Sequence, residues 1–193
     1  MKRVAPFALA FVGLAAFAQT TQRVRGTIAR LDGDVLTVKS RDGKEVRLQL
    51  APDAQVAVAK ATTLAEIKPG TYVGSAAVKR GDGTLVAKEV HTIPPQVPAG
   101  HMPWDLEPGS TMTNANLEGI AQAAGGQEIT LQYKDGTQKI LVPPGTPIVT
   151  FVPGDRSALK PGETIFTSAR VESDGKMSVQ RIQVSKDGAR PAH

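Results

Sequence analysis

The chain contains no cysteine. That absence excludes disulfide staples, thiolate nucleophiles and cysteine-held zinc or iron–sulfur centres, so stability must come from packing. Aromatic residues are scarce at 4%, and three of the five Phe fall within the first 18 positions. Beyond them remain Tyr72, Trp104, Tyr133, Phe151 and Phe166. These are too few and too scattered to stack successive bases, each worth about 1–3 kcal/mol, so nucleic acid is not an expected partner. The basic residues Arg30, Lys39, Arg41, Lys44 and Arg47 cluster near the first hairpins, but alternating strands present such side chains to water without any ligand. Net charge is only +5, of which Lys2 and Arg3 carry two. Past residue 18 no apolar run is long enough to cross a membrane.

The first 18 residues are a different matter. Lys2 and Arg3 precede an apolar stretch from Val4 to Ala15, and Ala16-Phe17-Ala18 is a small-x-small cleavage pattern. This is the pattern of a secretory signal peptide, with cleavage expected after Ala18 and the remaining chain expected in the periplasm or outside the cell.

What the rest of the chain has is a repeat. GTIARLDGDVLTVKSRDG from Gly26 matches GIAQAAGGQEITLQYKDG from Gly119 at a spacing of 93. After the Asp-Gly turn the spacing is 92: Leu48 and Leu50 meet Ile140 and Val142, Val56 meets Ile148, and Lys68-Pro69-Gly70 meets Lys160-Pro161-Gly162. Within each copy LTVK and EVRLQL alternate apolar with polar, the period of half-buried strands. Asp-Gly pairs at 32–33, 42–43, 82–83, 135–136 and 174–175, with Gly125-Gly126, supply hairpin turns. Thr62–Gly70 and Gly154–Gly162 interrupt the alternation as capped helical turns, with Thr62 or Thr63 and Asp155 as N-caps. The expected fold is all-β: two tandem small five-stranded OB-like barrels, each with one short helical turn between its third and fourth strands. An SH3-like barrel or small sandwich is the alternative. The expected units are a signal at 1–18, a first barrel at 19–93, a connector at 94–116, a second barrel at 117–185 and a tail at 186–193.

The pattern G-x-I, G-x-x-L-T-V, a D-G hairpin, K-P-G and D-G-T-L-V-A-K-E-V resembles a bacterial family of exported OB-like domains of unknown function. The resemblance covers nearly all of each repeat. It implies a fold and a compartment and transfers no catalytic residue. The second copy departs from it where A-K-E-V becomes V-Q-R-I.

Candidate chemistry gathers in the connector, which has no counterpart within either repeat. His101, Met102, Asp105, Glu107 and Met112 bring imidazole, thioether and carboxylate donors together, with His91 just upstream. Copper would suit the His–Met set and zinc the His–carboxylate set. Ser110 lies near His101 and Asp105 but not on a strand-to-helix elbow, and no carboxylate pair stands out, so an enzyme is not expected. Five Pro between Pro94 and Pro108 stiffen the segment, and a flexible tether would have no use for Trp104, Leu106 or Met112. These three are expected to clamp the barrels together, with Asp105 and Ser110 or Thr111 making turn hydrogen bonds. The functional expectation is a non-enzymatic binding or adaptor protein of the bacterial envelope, without a cofactor. Its partner, an envelope protein or small ligand, would be met by Trp104, His101, Asp105 and Glu107. The alternative is periplasmic metal binding through the connector donors.

Overall fold

The computed structural model describes residues 20–191. The expected signal segment at 1–18 and His193 lie outside them. Among the described residues no helix is long and apolar enough to cross a membrane.

The fold is all-β, and the described residues form twelve strands and two single 3₁₀ turns. A closed five-stranded barrel is formed by β1 (Thr20–Asp32), β2 (Val35–Ser40), β3 (Glu45–Ala61), β12 (Met177–Val184) and β11 (Thr164–Val171), with β11 returning to β1. All contacts in this circuit are antiparallel except β3 with β12. A second circuit has the same order: β7 (Ser110–Ala123), β8 (Gly126–Tyr133), β9 (Gly136–Val142), β5 (Leu85–Thr92) and β4 (Tyr72–Lys79). Here the parallel contact is shared. β9 meets the start of β5 through Leu85 and Ile140, and β10 (Ile148–Gly154) meets its end through Ile148 and Val90. Together β9 and β10 hold the place that β3 holds alone. Pro143, Pro144 and Pro147 lie in the gap between them, where an imide nitrogen cannot donate to a ladder.

The strands are therefore grouped differently from the expected units at 19–93 and 117–185. The first three strands of the chain close on the last two, and the middle strands close on one another. The cause is β3. Its 17 residues run on past the barrel instead of turning back, a span of up to about 55 Å at 3.3 Å per residue. The turn Leu64–Glu66 then starts above the second circuit, where Leu64 and Ile67 join the core of Val73, Leu117, Ile129, Leu131 and Ile140. Reciprocally, after β10 the turn Arg156–Ala158 delivers Leu159 to the core of Val24, Ile28, Leu36, Leu48, Ile165 and Ile182. Each such buried Leu or Ile contributes about 1.5–3 kcal/mol, so both crossings are anchored by apolar burial. The turns are capped locally: the Glu66 carboxylate accepts from the Thr63 N–H at 3.0 Å, and Asp155 accepts from the Ser157 N–H at 2.7 Å.

The repeat also registers differently at its start. Ile28 pairs with Val38, whereas Leu117 pairs with Leu131, the residue 93 beyond Val38. Leu117 thus takes the place of Ile28, and the expected match of Gly26 with Gly119 slips by four residues. The β7–β8 hairpin is longer than β1–β2, and because both turn over two residues, 33–34 and 124–125, the added length lies in its paired arms. Gly136 opens β9 without the positive φ expected of it.

Candidate functional site

The connector is a built structure. β6 (Gly100–Pro103) adds to β7, pairing His101 with Thr113 and Met102 with Met112. Tyr72 of β4 donates its hydroxyl to the Val97 carbonyl at 2.8 Å, and Asn114 donates to the Pro98 carbonyl at 3.3 Å. The loop that follows is closed by Ser110. Its carbonyl accepts from the Trp104 N–H at 2.8 Å, its hydroxyl donates to the Trp104 carbonyl at 3.0 Å, and that hydroxyl accepts from the Glu107 N–H at 3.2 Å.

From this loop Trp104 reaches the other barrel. The Arg23 guanidinium sits 3.9 Å from its ring centroid, and Phe166 of β11 lies 6.5 Å away at a tilt of 47°. Arg25 is 5.8 Å from the Trp104 ring and 5.0 Å from Phe166. Asp105, expected in a turn hydrogen bond, instead accepts from Arg25 at 2.8 Å, with Arg23 at 3.6 Å. The Arg25 hydrogen bond is the main reason the Asp105 carboxyl is held below its ordinary value. Glu107 pairs with Lys88 of β5 at 2.9 Å. The Trp104 Nε1 and Arg25 Nε atoms are buried without a hydrogen-bond partner among the described residues.

The expected metal donors do not converge. His101 and Met102 are consecutive in a strand and point to opposite faces. His101 Nδ1 is 2.8 Å from the Thr113 hydroxyl, and burial lowers its pKa. Met112 is buried in β7, and Asp105 and Glu107 are committed to cations on different strands. Among the described residues no group of three or more His, Asp or Glu is placed to hold a metal ion.

His91 belongs to a different arrangement. It lies 5% exposed on β5, with Nδ1 3.4 Å from Oε1 of Glu89, itself 4% exposed. Its ring meets Phe151 edge-on at 6.3 Å. The same ring lies across Gly74, where an added Cβ would fall 2.5 Å from His91 Nε2. The positions 92 residues on are Phe166, Arg181 and Gln183 in place of Gly74, Glu89 and His91. The two circuits thus share a strand order but carry different side chains at these positions. One carries an acid–imidazole pair over a glycine, and the other presents the phenyl ring against which Trp104 docks. The change from A-K-E-V to V-Q-R-I was the trace of this in the sequence.

Beside the connector lies an open crevice of about 860 Å³ where β3, β5, β10, the connector and the tail meet. Leu106, Ile148 and Val149 line it along with Arg41, Lys88 and Arg190, and Glu89 and Glu107 also reach it. An adjoining groove of about 400 Å³ shares Arg41 and Leu106 and extends past Arg23, Arg25 and Asp105. Of the expected contact residues, Glu107 borders the crevice and Asp105 the groove, while Trp104 and His101 border neither. That Arg41 and Arg190 border one crevice was not legible in the sequence, since most of the chain separates them.

Comparison with family models, with curated proteins and with solved structures finds no match for this chain.

Proposed function

We propose that the chain is an exported, non-enzymatic binding or adaptor protein of the bacterial envelope, built from two OB-like units descended from one by duplication. The matched pairings support common descent. Met177 with Leu48 and Leu85 with Ile140 are the same contact displaced by 92 residues, as are Ile182 with Val56 and Val90 with Ile148. Five strands with one helical turn after the third support the OB-like reading. The compartment rests on the signal-like start of the chain and on the resemblance of the repeats to exported domains.

The observation that carries the binding reading is the 860 Å³ crevice, formed where both barrels, the connector and the tail converge. Its size suits a small molecule, and it sets the apolar side chains of Leu106, Ile148 and Val149 beside charged groups that can orient a ligand. Trp104 and Asp105 hold the loop that supplies its Leu106 wall, so their role is to position that wall.

Titration of the protein with the neutral fluorophore Nile red tests this. Saturable binding at one site, lost in Ala61→Tyr, is the expected result, since Ala61 is exposed on the crevice wall. Binding unaffected by Ala61→Tyr, or no binding, would remove the crevice as a ligand site.

A further inference from the structure

The charges around the crevice are unevenly used. Lys88 is neutralised by Glu107 at 2.9 Å. Glu89 is buried with its Oε1 3.4 Å from His91 Nδ1. Arg41 and Arg190, by contrast, are exposed and take part in no ion pair among the described residues, yet both line this crevice. The acid remaining on that rim is Asp187. In the adjoining groove Asp105 serves both Arg23 and Arg25, leaving one cation in excess there. At four hairpins a surface cation is matched by a nearby acid: Arg30 with Asp32, Lys44 with Asp42, Arg80 with Asp82 and Lys176 with Asp174.

We infer that the crevice takes an amphiphilic anion: an oxyanion headgroup, carboxylate or phosphate, held by Arg41 and Arg190, with an apolar body lying along Leu106, Ile148 and Val149. The inference rests on the crevice being the ligand site. Guanidinium groups suit this task because their planar fork meets two oxygens at once, and the pair comes from the two ends of the chain. Arg41 sits on the β2–β3 hairpin and Arg190 on the tail, so ligand binding would tie the tail to the first barrel.

The test is calorimetric titration with decanoate, decyl phosphate and decanol. At least one of the two anions should bind ten-fold or more tightly than decanol, and the stronger of them names the headgroup. Arg41→Gln with Arg190→Gln should bring that anion down to the decanol level while decanol itself is unchanged. Both residues are exposed, so the variant retains its fold, which its melting temperature verifies. Equal binding of decanol and both anions, with Nile red still binding, would overturn the anion assignment and leave the crevice intact. An anion preference that survives the double substitution would overturn the assignment to these two arginines. Failure of decanol, both anions and Nile red alike would overturn the crevice reading itself.

Discussion

Ala59 and Phe151 face each other across the antiparallel β3–β10 pairing, and they stand 92 residues apart, the spacing that relates Val56 to Ile148. Exchanging the two halves of the chain therefore maps this contact onto itself. Ala59, Val149 and Ala189 form a small buried cluster with Phe151 packed against it, at the point where each half passes into the other's barrel. A barrel completed by strands from the far half of the chain resists local opening differently from one closed by its own neighbours.

Separation of the halves is the first consequence. Residues 19–93 and 94–193 expressed apart should each fail to form a stable monomer, because each lacks the strands that close its first three or last two. Mixed, they should give a one-to-one complex with a cooperative melt close to that of the intact chain, measured by light scattering and circular dichroism. Two independently stable monomers would show that each half closes on itself.

The Trp104 contact has a measurable cost. Trp104→Ala removes the ring from Arg23 and Phe166 and leaves apolar surface uncovered. Because Trp104 is only half-buried, the loss should be about 1–3 kcal/mol, below the range for fully buried Trp. For a chain of this size that lowers Tm by several degrees, at about 2–4 °C per kcal/mol. Trp104→Phe should retain most of the stability, and an unchanged Tm in Trp104→Ala would remove the contact from the account.

Asp105 adds a pH dependence. Its folded pKa lies below the ordinary 3.8, chiefly through the Arg25 hydrogen bond. A depressed carboxylate stabilises fully above the unfolded pKa, and that stability is lost as pH falls through the folded value. Asp105 is 47% exposed, so solvent screening keeps the effect within about 1 kcal/mol. Asp105→Asn should therefore melt slightly below the parent at pH 7, and the two curves should converge below pH about 4. A difference that stays constant across that range would exclude the ion pair as its source.

Gly74 is held to its identity by His91. Gly74→Ala puts a methyl 2.5 Å from His91 Nε2 and forces the buried ring to move, at a cost of about 1–3 kcal/mol. In the background of His91→Ala the same substitution should cost much less. A double-mutant cycle by urea denaturation reads the difference, and additive effects would show that the two positions do not conflict.

The strands were legible because Leu36, Val38, Leu48 and Leu50 alternate with polar residues and are each buried to 1% exposure or less. Strand partners were not. Ile165 and Val73, or Ile182 and Val90, present the same kind of apolar face in the two halves of the chain, so local pattern is satisfied by either closure. The four-residue slip of β7 was hidden because Gly26 and Gly119 each stand just ahead of an isoleucine-bearing stretch. In the connector, Trp104 stood out by rarity, but Arg25 lies 80 residues from Asp105 and nothing local joins them. His101 and Met102 looked like neighbouring ligands only until strand geometry set them on opposite faces.

Cross-linking tests the exchanged closure most directly, since the native chain has no cysteine to interfere. Thr21 and Arg170 are paired across β1 and β11, at a separation a disulfide can span, whereas Val78 stands 92 residues before Arg170 in the strand that would close the first barrel without exchange. Under mild oxidation, monomer carrying Thr21→Cys and Arg170→Cys should form an intramolecular disulfide, and monomer carrying Thr21→Cys and Val78→Cys should not. The opposite outcome would contradict the exchanged closure and return each barrel to its own half of the chain.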